Sequence, residues 1–350
     1  METPRIAQPK GFYFEVKAGQ RYSWCRCGRS ANQPFCDGSH AGTGFSPVLF
    51  EARKDEEVIF CGCKHTGTPP FCDGTHNDLP GAMVPDDPDS PANKAIRAVP
   101  QGADALAPLD GTCFVFSTAR AQLMHNGTMA YCPVIGPVRG ALYQSQFYAE
   151  IGAGLSPVIG TDRHTVLFVT EGQGEMEISG RRFAFGSCSG FYVRPGEAFR
   201  VHNANSKTVK LFISNRPGAD ELSFLDAMPT NFDETRPNRV AEIDPARRRA
   251  MAERYFQILV NREHGSTEMT QFIGHIPLSK AAPHRHLYEE AVIFLNGEGA
   301  VWTETRKTTV GPGDVLFLPR KQMHSVQCTV EDGLDVVGVI CPGDNPSISY

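Results

Sequence analysis

Cys25, Cys27, Cys36 and His40 place three thiols and one imidazole within sixteen positions, and Cys61, Cys63, Cys72 and His76 do so again. Thiolate and imidazole are soft to borderline donors, so each set could hold zinc or an iron–sulfur cluster. The C-x-C opening lacks the paired C-x2-C knuckles usual in structural zinc sites, which favours iron–sulfur. A third set lies near the other end of the chain. In an extended strand His284, His286 and Glu290 share parity and point to one face. His324 follows within "GPGDVLFLPRKQMH". Three imidazoles and one carboxylate suit Fe, Mn, Ni, Cu or Zn and leave positions open for water, substrate or dioxygen.

The two thiol sets are copies of each other. At an offset of 36 residues Cys25/Cys61, Cys27/Cys63, Ser30/Thr66, Pro34/Pro70, Cys36/Cys72, Asp37/Asp73, Gly38/Gly74 and His40/His76 coincide without a gap, the mark of tandem duplication. The string C-x-C-x2-[ST]-x3-P-x-C-D-G-[ST]-H, satisfied at every position in both copies, resembles the signature of the CDGSH iron–sulfur family. The resemblance covers about the first 79 residues. It implies two [2Fe–2S] clusters, one held by Cys25, Cys27, Cys36 and His40 and the other by Cys61, Cys63, Cys72 and His76. Imidazole in place of a thiolate makes such a cluster less negative and easier to reduce. Asp37 and Asp73 are expected to orient their turns rather than bind metal. Single-copy members of the family pair as dimers, so the duplication would supply both halves of a pseudo-twofold module in one chain.

His284-x-His286-x3-Glu290-x6-Gly297, followed by Gly313-x5-Pro319 and His324, resembles the two motifs of the cupin superfamily over residues 255–345. The leading glycine is missing, Lys321 replaces the usual glycine and Cys328 the final asparagine. The resemblance implies an antiparallel barrel with His284, His286, Glu290 and His324 holding one metal, expected to be Fe(II). Tyr288, Trp302, Arg320 and Cys328 are secondary pocket candidates, and Arg285 and Lys321 could hold a substrate carboxylate.

A fainter repeat has an offset of 125: "QFYAEI" at Gln146 matches "QFIGHI" at Gln271, and "VTEGQGEMEI" at Val169 matches "LNGEGAVWTE" at Leu295. Ile159, Thr161 and Thr165 then stand where the ligands His284, His286 and Glu290 would be, and Arg200 stands near the fourth, so the earlier half reads as a structural barrel without its metal. His125, His164 and His202 are better explained as core or surface histidines than as a second site. The fold class expected is mainly β: a small tandem cluster module at 1–79, a Pro/Asp-rich linker at 80–108, a degenerate barrel at 109–225, a helical connection at 226–254 and a metal-binding barrel at 255–350. "DPARRRAMAERYFQILV" suggests the helix, with Asp244 as N-cap and Pro245 in its first turn.

The chain has 350 residues, a formal charge of −5 and 41% hydrophobic residues, enough for two or three cores. The mild acidity gives no reason to expect nucleic acid, and no apolar run is long enough to cross a membrane. The N-terminus resembles neither a signal nor a transit peptide, so a cytoplasmic protein is expected. Eleven cysteines in a reducing compartment point to metal for six and to burial for Cys113, Cys132, Cys188, Cys328 and Cys341. The expected function is an oxygenase acting on a small molecule and O2, with electrons from the two clusters and from an external reductase, and a homodimer as a natural assembly. A non-redox metal cupin (isomerase, decarboxylase or lyase) and a non-enzymatic cluster-transfer or sensor protein are the competing expectations.

Overall fold

The computed structural model describes residues 2–79, 84–251, 253–343 and 345–350; the first four residues of the expected linker, 80–83, lie outside them. Near the N-terminus, β1 (Phe12–Val16), β2 (Arg21–Trp24), β3 (Val48–Glu51) and β4 (Glu56–Phe60) alternate aromatic and polar residues. One face must therefore be buried. The strands do not pair within a copy. Instead β1 pairs with β4 and β2 with β3, so each ladder joins one strand of each copy. The register respects the 36-residue offset: Phe12 faces Phe60 and Trp24 faces Val48, each pair mapping onto the other. The shared core holds Val16, Tyr22, Trp24, Ala52 and Phe60, with Phe12, Phe14, Phe35, Phe50 and Phe71 packed against it.

The rest of the chain is built on the 125-residue offset. Met129–Ile135 and Arg254–Val260, Ser145–Ile151 and Thr270–Ile276, Arg181–Phe185 and Arg306–Val310, and Val209–Arg216 and Leu334–Cys341 are strands that coincide to the residue. They belong to two double-sheet units, which among the described residues have seven and six strands and eight and four. Phe147, Leu167, Met176, Phe191 and Ile213 fill the first unit. Phe294, Val301, Leu316 and Leu334 fill the second. The larger sheets pack face to face through Val166, Phe168, Ile293, Phe317 and Val339. Strands such as His164–Glu171, buried on both faces, are accordingly apolar at consecutive positions.

Exchange occurs here as well. Phe114–Ser117 precedes the first unit in sequence but pairs with Asp314–Phe317 of the second. Val240–Ala241 precedes the second unit but pairs with Gly190–Phe191 of the first. Val115 facing Leu316 and Val240 facing Phe191 are the same pair at the 125-residue offset.

Two expectations are corrected. The stretch read as linker and as the opening of the first barrel contributes Arg97–Ala98, Leu106–Pro108 and Phe114–Ser117 to the sheets of the second unit. Ala107, Leu109, Cys113 and Val115 enter that unit's core, which compensates for strands too short to show a period. The expected helix is a single 3-10 turn over Pro245–Arg247, where Asp244 does accept from the Ala246 N–H at 2.9 Å. Arg249–Met251 and Arg254–Val260 are strands: the first pairs with Arg254–Phe256 and the second with Thr270–Ile276, and this pairing outweighs the helix propensity of the segment.

Candidate metal centres

In each N-terminal copy the cysteine and histidine side chains stand as two close pairs. Cys25 Sγ lies 3.7 Å from Cys27 Sγ, and Cys36 Sγ 3.1 Å from His40 Nδ1. The second copy repeats this at 3.4 Å for Cys61 and Cys63 and 3.4 Å for Cys72 and His76. Two thiolates at ~2.3 Å from one ion in a tetrahedral arrangement stand ~3.7 Å apart, so each pair fits a shared iron. Backbone N–H groups of Arg29, Gly38, Lys64 and His65 point at these sulfurs at 3.2–3.5 Å, which stabilises thiolate. Asp37 and Asp73 take the orienting role: each accepts from the N–H two residues on and from an N–H six residues back. Those bonds hold both carboxyls below their usual range, led for Asp37 by the Ser39 side chain; for Asp73 they outweigh the opposing pull of burial.

The copies differ in cover. His40 and Cys36 are half-buried, whereas His76 is 2% exposed. The cover over the second turn is the C-terminal tail. Asn345 Nδ2 donates to the Asp73 carbonyl at 2.8 Å and Asn77 Nδ2 to the Ser347 carbonyl at 2.9 Å. Ser347 also sits against Gly74, where a Cβ would meet its Oγ at 2.1 Å. Lys64 lies between the copies, with Nζ 4.7 Å from the Trp24 ring centre and donating to the Cys61 carbonyl at 3.1 Å.

In the second unit, His286, Glu290 and His324 bring three donors within 4.8 Å of one another, and the His284 ring lies 4.3 Å from that of His324. His284 and His324 exchange two backbone hydrogen bonds at 3.1 Å, which fixes the loop strand carrying one ligand to the turn carrying the other. The Nδ1 atoms of His284, His286 and His324 meet the carbonyls of Ala282, Tyr288 and Gln322 at 3.0, 2.8 and 3.0 Å. A carbonyl only accepts, so each Nδ1 carries a proton and Nε2 is the nitrogen each ring can offer to a metal. Burial pushes the His284 pKa down to about 4 and that of His324 well below its ordinary value, leaving both neutral at pH 7.

His286 Nε2 is buried without a hydrogen-bond partner, yet Glu290 Oε2 stands 3.0 Å from it. The approach is close and misaligned for a hydrogen bond. Donors at ~2.1 Å from one ion and at right angles stand ~3.0 Å apart, so the orphaned nitrogen and the carboxylate fit a shared cation. Tyr288 stacks on His286 with ring centres 4.0 Å apart and donates its hydroxyl to the Pro346 carbonyl at 2.8 Å. The ligands open on a cavity of about 100 Å3 that Tyr288, Arg254, Phe256, Phe272 and Pro346 help to line.

Of the secondary candidates, Tyr288 lines this cavity; the other three lie elsewhere. Trp302 donates to Gln327 Oε1 at 3.0 Å and packs under Lys280 and Lys307. Cys328 is fully buried in the second unit's core, donating to the Val330 carbonyl. Arg320 ties the units together, donating to the Leu287 carbonyl, the Tyr143 hydroxyl and Glu57 Oε2. Arg285 pairs with Glu304 and Lys321 with Glu57, so neither faces the ligands. In the first unit His164 meets the Tyr192 hydroxyl, His202 approaches Glu175 at 3.6 Å and His125 is exposed, so the three do not converge. Arg254 carries no motif, and the composition of its segment suggests a helix. Its one signal was a charge where the 125-residue offset places Met129.

A family model described as iron-binding zinc finger, CDGSH type, matches residues 3–41, and one described as cupin domain matches 276–340. The mouse (Mus musculus) protein "CDGSH iron-sulfur domain-containing protein 3, mitochondrial" is 54% identical over 50 residues, 14% of this chain and 36% of that protein. Its Homo sapiens counterpart is 59% identical over 39 residues, 11% of this chain and 31% of that protein. The chain thus spans about a third of the length of these relatives. Among solved structures, Ylba from E. coli is similar with a TM-score of 0.53 at 14% identity, over 68% of this chain and 95% of that one. An oxalate decarboxylase–formate complex from Lactobacillus farciminis gives 0.51 at 12%, over 66% and 87%. Procruciferin, an 11S globulin from Brassica napus, gives 0.53 at 10%, over 68% and 85%. At these identities the likeness is one of fold. The chain therefore joins a CDGSH-type iron-binding domain at its N-terminus to a cupin domain at its C-terminus.

Proposed function

We propose that this chain is a non-haem Fe(II)-dependent cupin oxygenase acting on a small molecule with O2, with electrons supplied by two built-in [2Fe–2S] clusters and refilled by an external reductase. In this reading both double-sheet units are cupin-type barrels and the second carries the single mononuclear metal. One observation carries the proposal. Asn345 and Ser347 of the tail bind the second cysteine–histidine turn through Asp73 and Asn77, and the Pro346 carbonyl between them accepts the hydroxyl of Tyr288, which lies on the ligand His286. A cleft of about 440 Å3 between Cys72 and Tyr288 runs along the same boundary.

A ferrous ion held by His284, His286, Glu290 and His324 would supply one-electron chemistry toward O2. The chain's own residues do the rest. Three imidazole nitrogens and one carboxylate around a divalent ion leave a site with net positive charge and open positions. The apolar walls and the tail exclude water. Inserting one oxygen atom of O2 into a substrate and reducing the other to water takes two electrons and two protons. Two one-electron clusters store that pair. The half-buried His40 turn is the side open to a reductase, and the covered His76 turn faces the barrel. If both oxygen atoms enter the substrate, the clusters serve to keep the iron ferrous. Eleven unpaired cysteines accord with a cytoplasmic location.

The test is anaerobic reconstitution with iron and sulfide, reduction with dithionite, and stopped-flow exposure to O2. Cluster reoxidation at least ~10-fold faster in wild type than in His324→Ala, at equal cluster content, supports the reading. Indifference to the substitution would overturn it, and turnover without O2 would favour the non-redox alternative.

A further inference from the structure

Arg254 opens the strand Arg254–Val260 and projects into the cavity that holds the four metal ligands. It is 7% exposed. Its Nη2 donates to the Val326 carbonyl at 3.3 Å, and its Nε is buried with no hydrogen-bond partner. Glu253 Oε1 comes within 3.6 Å of that Nε, beyond hydrogen-bonding distance, and is itself a third exposed. A guanidinium stays charged and presents five donors in a fork that matches a carboxylate. Among the described residues, the one carboxylate paired with it is this partly solvated, loosely placed Glu253, so the buried guanidinium keeps donors that no protein anion there meets at hydrogen-bonding distance.

The surroundings select the missing anion. Met251, Phe256, Phe272, Ile276, Val292 and Val326 make the wall apolar. Among the described lining residues Glu290 is the sole carboxylate, and it belongs to the metal. A divalent ion, Glu290 and Arg254 leave the cavity positive, so an anionic ligand brings it nearer neutrality. The first unit has Met129 at the corresponding position, so the charge accompanies the metal-bearing unit alone.

We propose that Arg254 anchors the carboxylate of a compact, apolar organic acid, and that such acids are the substrate class of this site. The proposal rests on reading His284, His286, Glu290 and His324 as a mononuclear metal site, and is independent of whether oxygen chemistry follows. The carboxylate takes the unmet donors of the guanidinium, and the hydrocarbon body lies against Phe256 and Phe272 near the metal.

The probe is benzoate, with neutral benzamide as its isostere, titrated calorimetrically into the full chain loaded with Zn(II), without O2 or reductant. Wild type is expected to bind benzoate at least ~10-fold more tightly than benzamide. Arg254→Met and Arg254→Gln, checked for unchanged zinc content and melting temperature, should lose about 10- to 100-fold in benzoate affinity and most of that preference. Metal-stripped wild type should retain the preference, a result that needs no variant. Failure of wild type to bind benzoate, equal binding by the variants, or a preference that vanishes with the metal overturns the proposal. Absence of O2-dependent cluster reoxidation would sink the oxygenase reading while leaving this binding intact.

Discussion

The ring of Tyr288 lies against that of His286 at 11° between planes, and its hydroxyl is held by the Pro346 carbonyl at 2.8 Å. One residue before Pro346, Asn345 grips the Asp73 carbonyl, and one residue after it, Ser347 accepts from Asn77. A short length of tail thus touches both the second cysteine–histidine turn and the tyrosine stacked on His286. Tyr288→Phe removes the hydrogen bond and keeps the stack. We expect a loss of about 1 kcal/mol in stability, from the Pro346 carbonyl left unpaired, and slower cluster reoxidation at unchanged metal content. Differential scanning calorimetry and stopped-flow absorbance check the two effects.

Trp24 is 1% exposed and donates its Nε1–H to the Cys61 carbonyl at 3.0 Å, so it holds the first copy to the ligand loop of the second. Trp24→Ala should cost about 3–5 kcal/mol through the cavity and the lost bond. Because the strands are exchanged, both clusters should be lost together on heating. Visible absorbance against temperature should show one transition, shifted down.

Lys64 occupies a left-handed position, φ 68°, where the first copy has Gly28 at φ 74°. Retaining a lysine there puts one cation beside both thiol sets. Burial pushes its pKa down to about 8, offset by the thiolates of Cys25, Cys61, Cys63 and Cys27, so it is charged at pH 7. Reduction adds an electron, which a nearby cation favours. Lys64→Met should lower the cluster potentials by ~50 mV or more, from a charge interaction of ~1–2 kcal/mol. Spectroelectrochemical titration at pH 7 measures this.

His264, in the 3-10 turn Arg262–His264, is 2% exposed and its pKa is lowered, first by burial and then by Arg247. A histidine whose folded pKa is depressed stays neutral in the fold while the unfolded chain takes up a proton. Its contribution is therefore fully present above the ordinary ~6.5 and lost as pH falls toward the folded value. Urea unfolding of the metal-loaded protein should show stability declining below pH 6.5, and His264→Gln should flatten that decline.

Much of this architecture could be read in the sequence because duplication leaves a signal at fixed offset. The 36-residue repeat survives in residues whose chemistry or backbone tolerates no exchange, such as the Cys-Asp-Gly turn. The position where Lys321 replaces the expected glycine is indeed left-handed, φ 66°. What escaped the reading is what depends on distant pairing. "RRRAMAER" has helix-forming composition, yet Arg249–Met251 is extended because it pairs with Arg254–Phe256, whose strand is in turn laid down on Thr270–Ile276. Phe114–Ser117 reads as an opening strand of the nearer unit, and only the three-dimensional exchange assigns it to the farther one. Arg254 and the tail Asn345–Ser347 carry no motif. Their meaning comes from an unpaired nitrogen and from two side-chain amides reaching across the chain.

Electrons from the cysteine–histidine module are expected to reach an ion enclosed by His284, His286, Glu290 and His324. One protein with two fillings decides this: both clusters intact, and the mononuclear site loaded with iron in one sample and redox-inert zinc in the other. After full reduction and a pulse of O2, cluster absorbance should return rapidly with iron and at least ~10-fold more slowly with zinc. Equal rates in the two samples would contradict it.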